Sequence, residues 1–144
     1  MNMAMRNKFA QQYASNFVET AVSEATPHKL VEMLYDGALK NLNLTKVFIE
    51  KKDFEKKAEF SNKALSIINA LRAGVDMENG KDVAGNLYDL YDYCYRRVLE
   101  ASSKNDVAMV DEVIEHIKTL NDAWKEMPEM IKRSSKEQIE RLRA

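Results

Sequence analysis

Apolar residues recur at helical spacing along four stretches of the chain, with short polar breaks between them. From Pro27 to Lys51, the residues Leu30, Leu34, Ala38, Leu42, Thr45 and Ile49 fall on one face of a helix. Val31, Met33, Tyr35, Leu39 and Phe48 widen that face beyond one stripe. Thr26-Pro27 marks its start, because a threonine hydroxyl caps free N–H groups and proline at the first helical position has none to leave unpaired. Lys51-Lys52-Asp53 interrupts the pattern, and Asp53 is placed to cap a second helix from Phe54 to Gly74 or Val75. On it, Ala58, Ser61, Leu65, Ile68, Arg72 and Val75 form one line, and Phe60, Ala64, Ile67 and Leu71 a neighbouring line. The dipeptide Asn79-Gly80 makes MENGKD a predicted loop, with Asp82 capping a third helix over Val83 to Ser103. After Lys104-Asn105-Asp106, a fourth helix is capped by Asp106. Its face is the cleanest: Val110, Val113, Ile114, Ile117, Leu120, Trp124 and Met127. Pro128 ends or bends it.

Helices of similar length joined by short connectors pack as antiparallel neighbours. The predicted fold is therefore all-α, an antiparallel up-down four-helix bundle over residues 23–130. With four Gly and two Pro, the chain lacks the turn residues an all-β protein consumes. Residues 1–22 read as an N-terminal arm. Phe9, Tyr13 and Phe17 recur every four residues, which fits either a short helix packing one aromatic face on the bundle or an arm with sticky aromatics. Residues 131–144, IKRSSKEQIERLRA, form a charged tail with too few apolar residues for a core of its own.

At 144 residues, 45% hydrophobic and 31% charged, the chain has the makings of one globular domain. Its net charge of −1 supplies no global field for nucleic acid or anionic lipid. MNMAMRNKFAQQY lacks the apolar stretch of a signal peptide, and no run reaches the length of a membrane span, so the expected location is the cytoplasm without membrane insertion. Cys94 is the sole cysteine, so no intrachain disulfide forms.

Candidate chemistry is absent. Helical bundles hold paired metals with a Glu-x-x-His pattern. The two histidines, His28 and His116, are instead preceded at that spacing by Ala25 and Val113. There is no glycine-rich phosphate loop. Cys94 sits between aromatic residues with no activating base nearby in sequence and reads as a buried structural thiol. The expectation is no enzyme, no catalytic residue, no metal and no cofactor. The basic residues Arg96, Arg97, Lys132, Arg133, Lys136, Arg141 and Arg143 are interspersed with acids such as Glu137 and Glu140. They read as a solvated, ion-paired face rather than a nucleic-acid site.

The unusual stretch is NLYDLYDYCYRRVLEA, where four of six tyrosines lie between Tyr88 and Tyr95. If Leu87, Leu90, Cys94, Val98 and Ala101 face the core, then Tyr88, Tyr95 and Leu99 form a second line, and Tyr91 bridges the two. Met33, Tyr35 and Phe48 on the first helix and Ile67 and Leu71 on the second are a similar surplus. The bland alternative is that the tyrosines fill bundle corners, rings in and hydroxyls out. The functional reading is an apolar groove for an amphipathic helix or an unfolded segment. Four such side chains yield roughly 6–12 kcal/mol gross on burial. Association costs on the order of 4–15 kcal/mol, and ordering a segment about 2–5 more. Stable capture therefore needs a long segment laid over several grooves.

Three blocks resemble the flagellin export chaperone family FliS: TPHKLVEMLYDGALKNL (Thr26 to Leu42), DVAGNLYDLYDYCYRRVLEASSKND (Asp82 to Asp106) and DAWKEM (Asp122 to Met127). The resemblance implies a four-helix bundle that binds the disordered C-terminal segment of flagellin, prevents premature polymerisation and keeps the cargo competent for type III export. It implies hand-over of loaded cargo to the export gate protein FlhA, and contact with other flagellar proteins in some members. On this reading Tyr35, Ile67, Leu71, Tyr88, Tyr91, Tyr95 and Leu99 are the candidate cargo-binding residues. YASNFVETA resembles the family's N-terminal pattern, which makes Tyr13, Phe17 and Val18 candidates for an N-terminal cap or export-gate contact. VSEA, Val22 to Ala25, looks like an insertion after that pattern. The alternative function is a self-associating helical module, with a homodimer as its partner, or an adaptor for another flagellar protein.

Overall fold

The computed structural model describes residues 27–127. Four helices account for nearly all of them: α1 (Pro27–Glu50), α2 (Phe54–Ala73), α3 (Met77–Lys104) and α4 (Val107–Glu126). No strand occurs among the described residues. Each helix packs on two others in a closed ring, α1 and α3 each lying against both α2 and α4. Partner numbers rise on one helix as they fall on the next. Ser61 meets Ser102 and Arg72 meets Asp92 across α2 and α3. Lys46 meets Asp111 and Asp36 meets Asn121 across α1 and α4. The bundle is therefore antiparallel and up-down, as the helix lengths predicted.

Two of the three connections use one device. At the end of α1, Lys52 adopts a left-handed φ of 58°. Its N–H returns to the Ile49 carbonyl at 3.0 Å, and the Asp53 N–H to Phe48 at 2.9 Å. Asp53 then caps α2 by accepting from the Lys56 N–H at 3.2 Å. At the end of α3, Asn105 has φ 53°, and the Asp106 N–H reaches Ala101 at 2.9 Å. Asp106 caps α4 through the Met109 N–H at 3.2 Å. Each break thus closes one helix with a Schellman-type turn and opens the next with an aspartate. Lys57 adds to the second, its ammonium donating to the Ser102 carbonyl and to Asn105 Oδ1, both at 2.8 Å, at the negative end of α3.

A side chain in the left-handed region is disfavoured for lysine and costs nothing extra for glycine. Lys52→Gly is therefore expected to stabilise the bundle by about 0.5–1 kcal/mol, seen as a higher urea midpoint at unchanged slope. Asn105→Gly should gain less, because asparagine tolerates this region and Asn105 also accepts from Lys57.

The second connection departs from the sequence reading. MENGKD is not a loop: α3 begins at Met77, six residues before the predicted start at Val83. Asp76, rather than Asp82, precedes the helix and accepts from the Glu78 N–H at 3.2 Å. Asn79-Gly80 disfavours a helix only mildly, and here it continues into turns whose apolar face is packed. The remaining link is Gly74 to Asp76, three residues, which holds α2 and α3 as close neighbours.

The core runs the length of the ring, with Leu42, Ile68, Val98, Val110, Val113 and Ile117 fully buried. Buried polar groups find partners mostly within their own helix. Asn41 Nδ2 donates to the Gly37 carbonyl at 2.8 Å, and the Thr45 hydroxyl to that of Asn41 at 2.8 Å. On α2 the core contains both predicted lines, since Leu65, Ile68, Ala64, Ile67 and Leu71 are all buried. Ala58, at the start of the first line, is exposed.

Candidate protein-docking face

α3 carries most of the apolar surface the bundle leaves uncovered. Among the described residues, five of the eight exposed large apolar side chains belong to it: Met77, Val83, Tyr88, Tyr93 and Leu99. Tyr88 and Leu99, at 38% and 48% exposure, lie on one outer line with Gly85 and Asp92, at heptad-like spacing. Tyr95 borders this line, half-buried, with the Arg72 guanidinium 4.8 Å from its ring centroid. Arg72 also binds Asp92 at 2.7 Å, and Asp92 takes Arg96 at 3.0 Å. The outer line of α3 is thus pinned to α2 by a charge pair and a cation–π contact. Arg72, expected on a core line, serves at this seam instead.

Gly85 has no evident task within the bundle. A Cβ added there meets nothing within 4 Å. Glycine inside a helix costs roughly 0.5–1 kcal/mol relative to alanine. Open space above a helical glycine is where another backbone can approach closely.

The seven candidate cargo residues divide into two groups. Tyr88 and Leu99 are exposed and Tyr95 is half-buried, so α3 presents these three at its surface. Tyr35, Tyr91, Ile67 and Leu71 lie in the core, between 2% and 6% exposed. The hydroxyls of Tyr35 on α1 and Tyr91 on α3 meet at 2.5 Å across the bundle diagonal. Burial raises the pKa of both, so both remain neutral phenols. Tyr13, Phe17 and Val18 lie outside the described residues, as does the charged tail.

On its other flank α3 is tied to α4 by polar contacts. Tyr93 donates to Glu112 at 2.5 Å, and Arg97 Nε donates to the same carboxylate at 3.1 Å. Tyr93 first, then Arg97, holds the Glu112 carboxyl below the usual range. Arg97 also reaches Glu100, which Lys104 binds at 2.8 Å. Arg96 and Arg97 are therefore committed to acids, as the mixed charge pattern predicted. Cys94 is fully buried between the flanks, and desolvation pushes its thiol up to about 12. It stays protonated and unreactive at neutral pH.

One arrangement had no local signal in the sequence. His28, in the first turn of α1, stacks on Trp124 with centroids 4.7 Å apart and planes 11° apart. The His28 ring Nε2 lies 2.8 Å from the Trp124 carbonyl, and the Trp124 indole N–H donates to the His28 carbonyl at 2.8 Å. This reciprocal clasp fastens the start of α1 to the end of α4 across 96 residues of sequence. Among the described residues no group of three or more His, Cys, Asp or Glu could hold a metal ion, and no helix is long and apolar enough to cross a membrane.

A family model described as "Flagellar protein FliS" matches residues 9–130. The flagellar secretion chaperone FliS of Salmonella typhimurium is 44% identical over 116 residues, covering 80% of this chain and 86% of the relative. That of Vibrio cholerae is 40% identical over 118 residues, covering 82% and 87%. The Bacillus subtilis protein of the same name is 37% identical over 124 residues, covering 86% and 88%.

Proposed function

The chain belongs to the FliS family, and from that premise we propose that it is a cytoplasmic flagellin-specific export chaperone, not an enzyme. Its relatives are named flagellar secretion chaperones. The observation that carries the reading to this chain is the exposed apolar line of α3, Tyr88 and Leu99 beside Tyr95. A secretion chaperone needs such a surface, since its cargo is held as an unfolded segment whose apolar residues must be covered. In this reading the disordered C-terminal segment of flagellin lies along α3 and over the α2 seam. Held there, it neither polymerises nor folds before type III export. The loaded chaperone then presents its cargo to the export gate protein FlhA, with Tyr13, Phe17 and Val18 as the N-terminal contact.

Titrating the full chain with a synthetic C-terminal segment of its own organism's flagellin tests this. Calorimetry should give one-to-one binding with a large negative heat-capacity change, the mark of apolar burial coupled to ordering. Absence of heat and of a complex with that segment in large excess overturns the flagellin assignment.

A further inference from the structure

At the opposite edge of α2 from the α3 seam, the turn between α1 and α2 builds a second surface of different chemistry. Phe48 of α1 and Phe60 of α2 stack with centroids 5.4 Å apart and planes 9° apart. The left-handed turn at Lys52 folds the chain back so that two ammonium groups converge on one ring. Lys51 Nζ lies 5.9 Å and Lys56 Nζ 5.4 Å from the Phe48 centroid. Lys63 Nζ lies 5.0 Å from the Phe60 centroid, extending the row by one ring, and has Glu59 at 3.8 Å. Neither Lys51 nor Lys56 makes an ion pair among the described residues. Phe54, beside the same turn, faces the α3 side instead, with Lys57 Nζ 5.3 Å from its ring centroid.

Gathering two like charges over one ring is unfavourable by itself, and a carboxylate between them relieves the repulsion. Cation–π contact also holds the lysines partly ordered, which lowers the entropy lost on binding an anion. From this we infer that the α1–α2 turn is a docking surface for an acidic peptide segment. Such a segment sets a carboxylate between Lys51 and Lys56, beside the Phe48–Phe60 stack. An anionic membrane fits less well. Glu55 and Glu59 interrupt the positive stretch, which leaves room for a single carboxylate between Lys51 and Lys56 but not the broad single-signed field that gathers lipid headgroups. This surface is separate from the α3 line, so the inference stands or falls independently of the flagellin reading.

The probe is an acetylated dodecapeptide alternating glutamate and leucine, titrated into the full chain and followed by amide chemical shifts. Shifts should centre on residues 47–63 and leave Tyr88 and Leu99 unmoved. Lys51→Glu with Lys56→Glu should weaken binding about tenfold or more, while Lys51→Arg with Lys56→Arg should stay within about threefold. Binding should also weaken as salt rises from about 50 to about 300 mM. An equal response to the corresponding lysine–leucine peptide, or full binding by the double glutamate variant, overturns the inference. So does lysine-dependent binding to phosphatidylserine vesicles with no response to the acidic peptide.

Discussion

Tyr91→Phe is expected to lower the stability of the bundle by about 1–3 kcal/mol, and adding Tyr35→Phe is expected to return part of that loss. Each hydroxyl is the other's partner at 2.5 Å, in a site where both residues are 2% exposed. Removing one leaves the other stranded in the core with its desolvation uncompensated. Removing both leaves two aromatic rings of nearly the same shape with no polar atom to satisfy. Urea unfolding of the two single variants and the double variant closes a thermodynamic cycle. Its coupling should be about 0.5–3 kcal/mol. Single losses that simply add would mean the hydroxyls are not energetically paired. The pair joins α1 to α3 across the diagonal, directly behind the outer line of α3. It therefore fixes the rotation of the helix that presents Tyr88 and Leu99.

That contact also shows how far the sequence was legible. α1, α2 and α4 could be placed because each break carries its own capping aspartate or proline, and because each helix repeats its apolar face over five or more turns. The early start of α3 was hidden, because Asn79-Gly80 is a turn dipeptide whose local preference loses to a helix already packed further along. Tyr88 and Leu99 were legible as a second face. Tyr35, Tyr91, Ile67 and Leu71 were not legible as core, for a geometric reason. In a closed ring every helix meets two neighbours and the diagonal one, so its buried arc spans two adjacent apolar lines rather than one. Period alone does not say whether the second line is the other half of that arc or a free surface. The His28–Trp124 clasp and the lysine–phenylalanine row depend on residues brought together by the fold, and nothing in their local sequence marks them.

Under the proposed flagellin reading, Tyr88→Glu combined with Leu99→Glu is expected to weaken binding of the flagellin segment by roughly two to four powers of ten while leaving the melting temperature within a few degrees. The magnitude follows from burial: a large apolar side chain covered by a partner contributes about 1.5–3 kcal/mol, so two contribute about 3–6. The unchanged stability follows from exposure, since neither residue belongs to the buried core. Gly85 separates the two effects further. Gly85→Ala should stabilise the free bundle by about 0.5–1 kcal/mol, because helix propensity improves and the new Cβ meets nothing within 4 Å. Gly85→Leu should fold equally well yet bind the segment more weakly, because its side chain fills the open space that the proposed docking gives to the partner backbone. Circular dichroism melts and segment titrations on the same samples read both quantities. If the double glutamate variant binds within about twofold of the parent, the cargo does not lie on this line. If Gly85→Leu binds normally, the glycine serves no close approach. A helix that tolerates every change on its outer line while losing only its partner would establish that line as a surface kept for another chain.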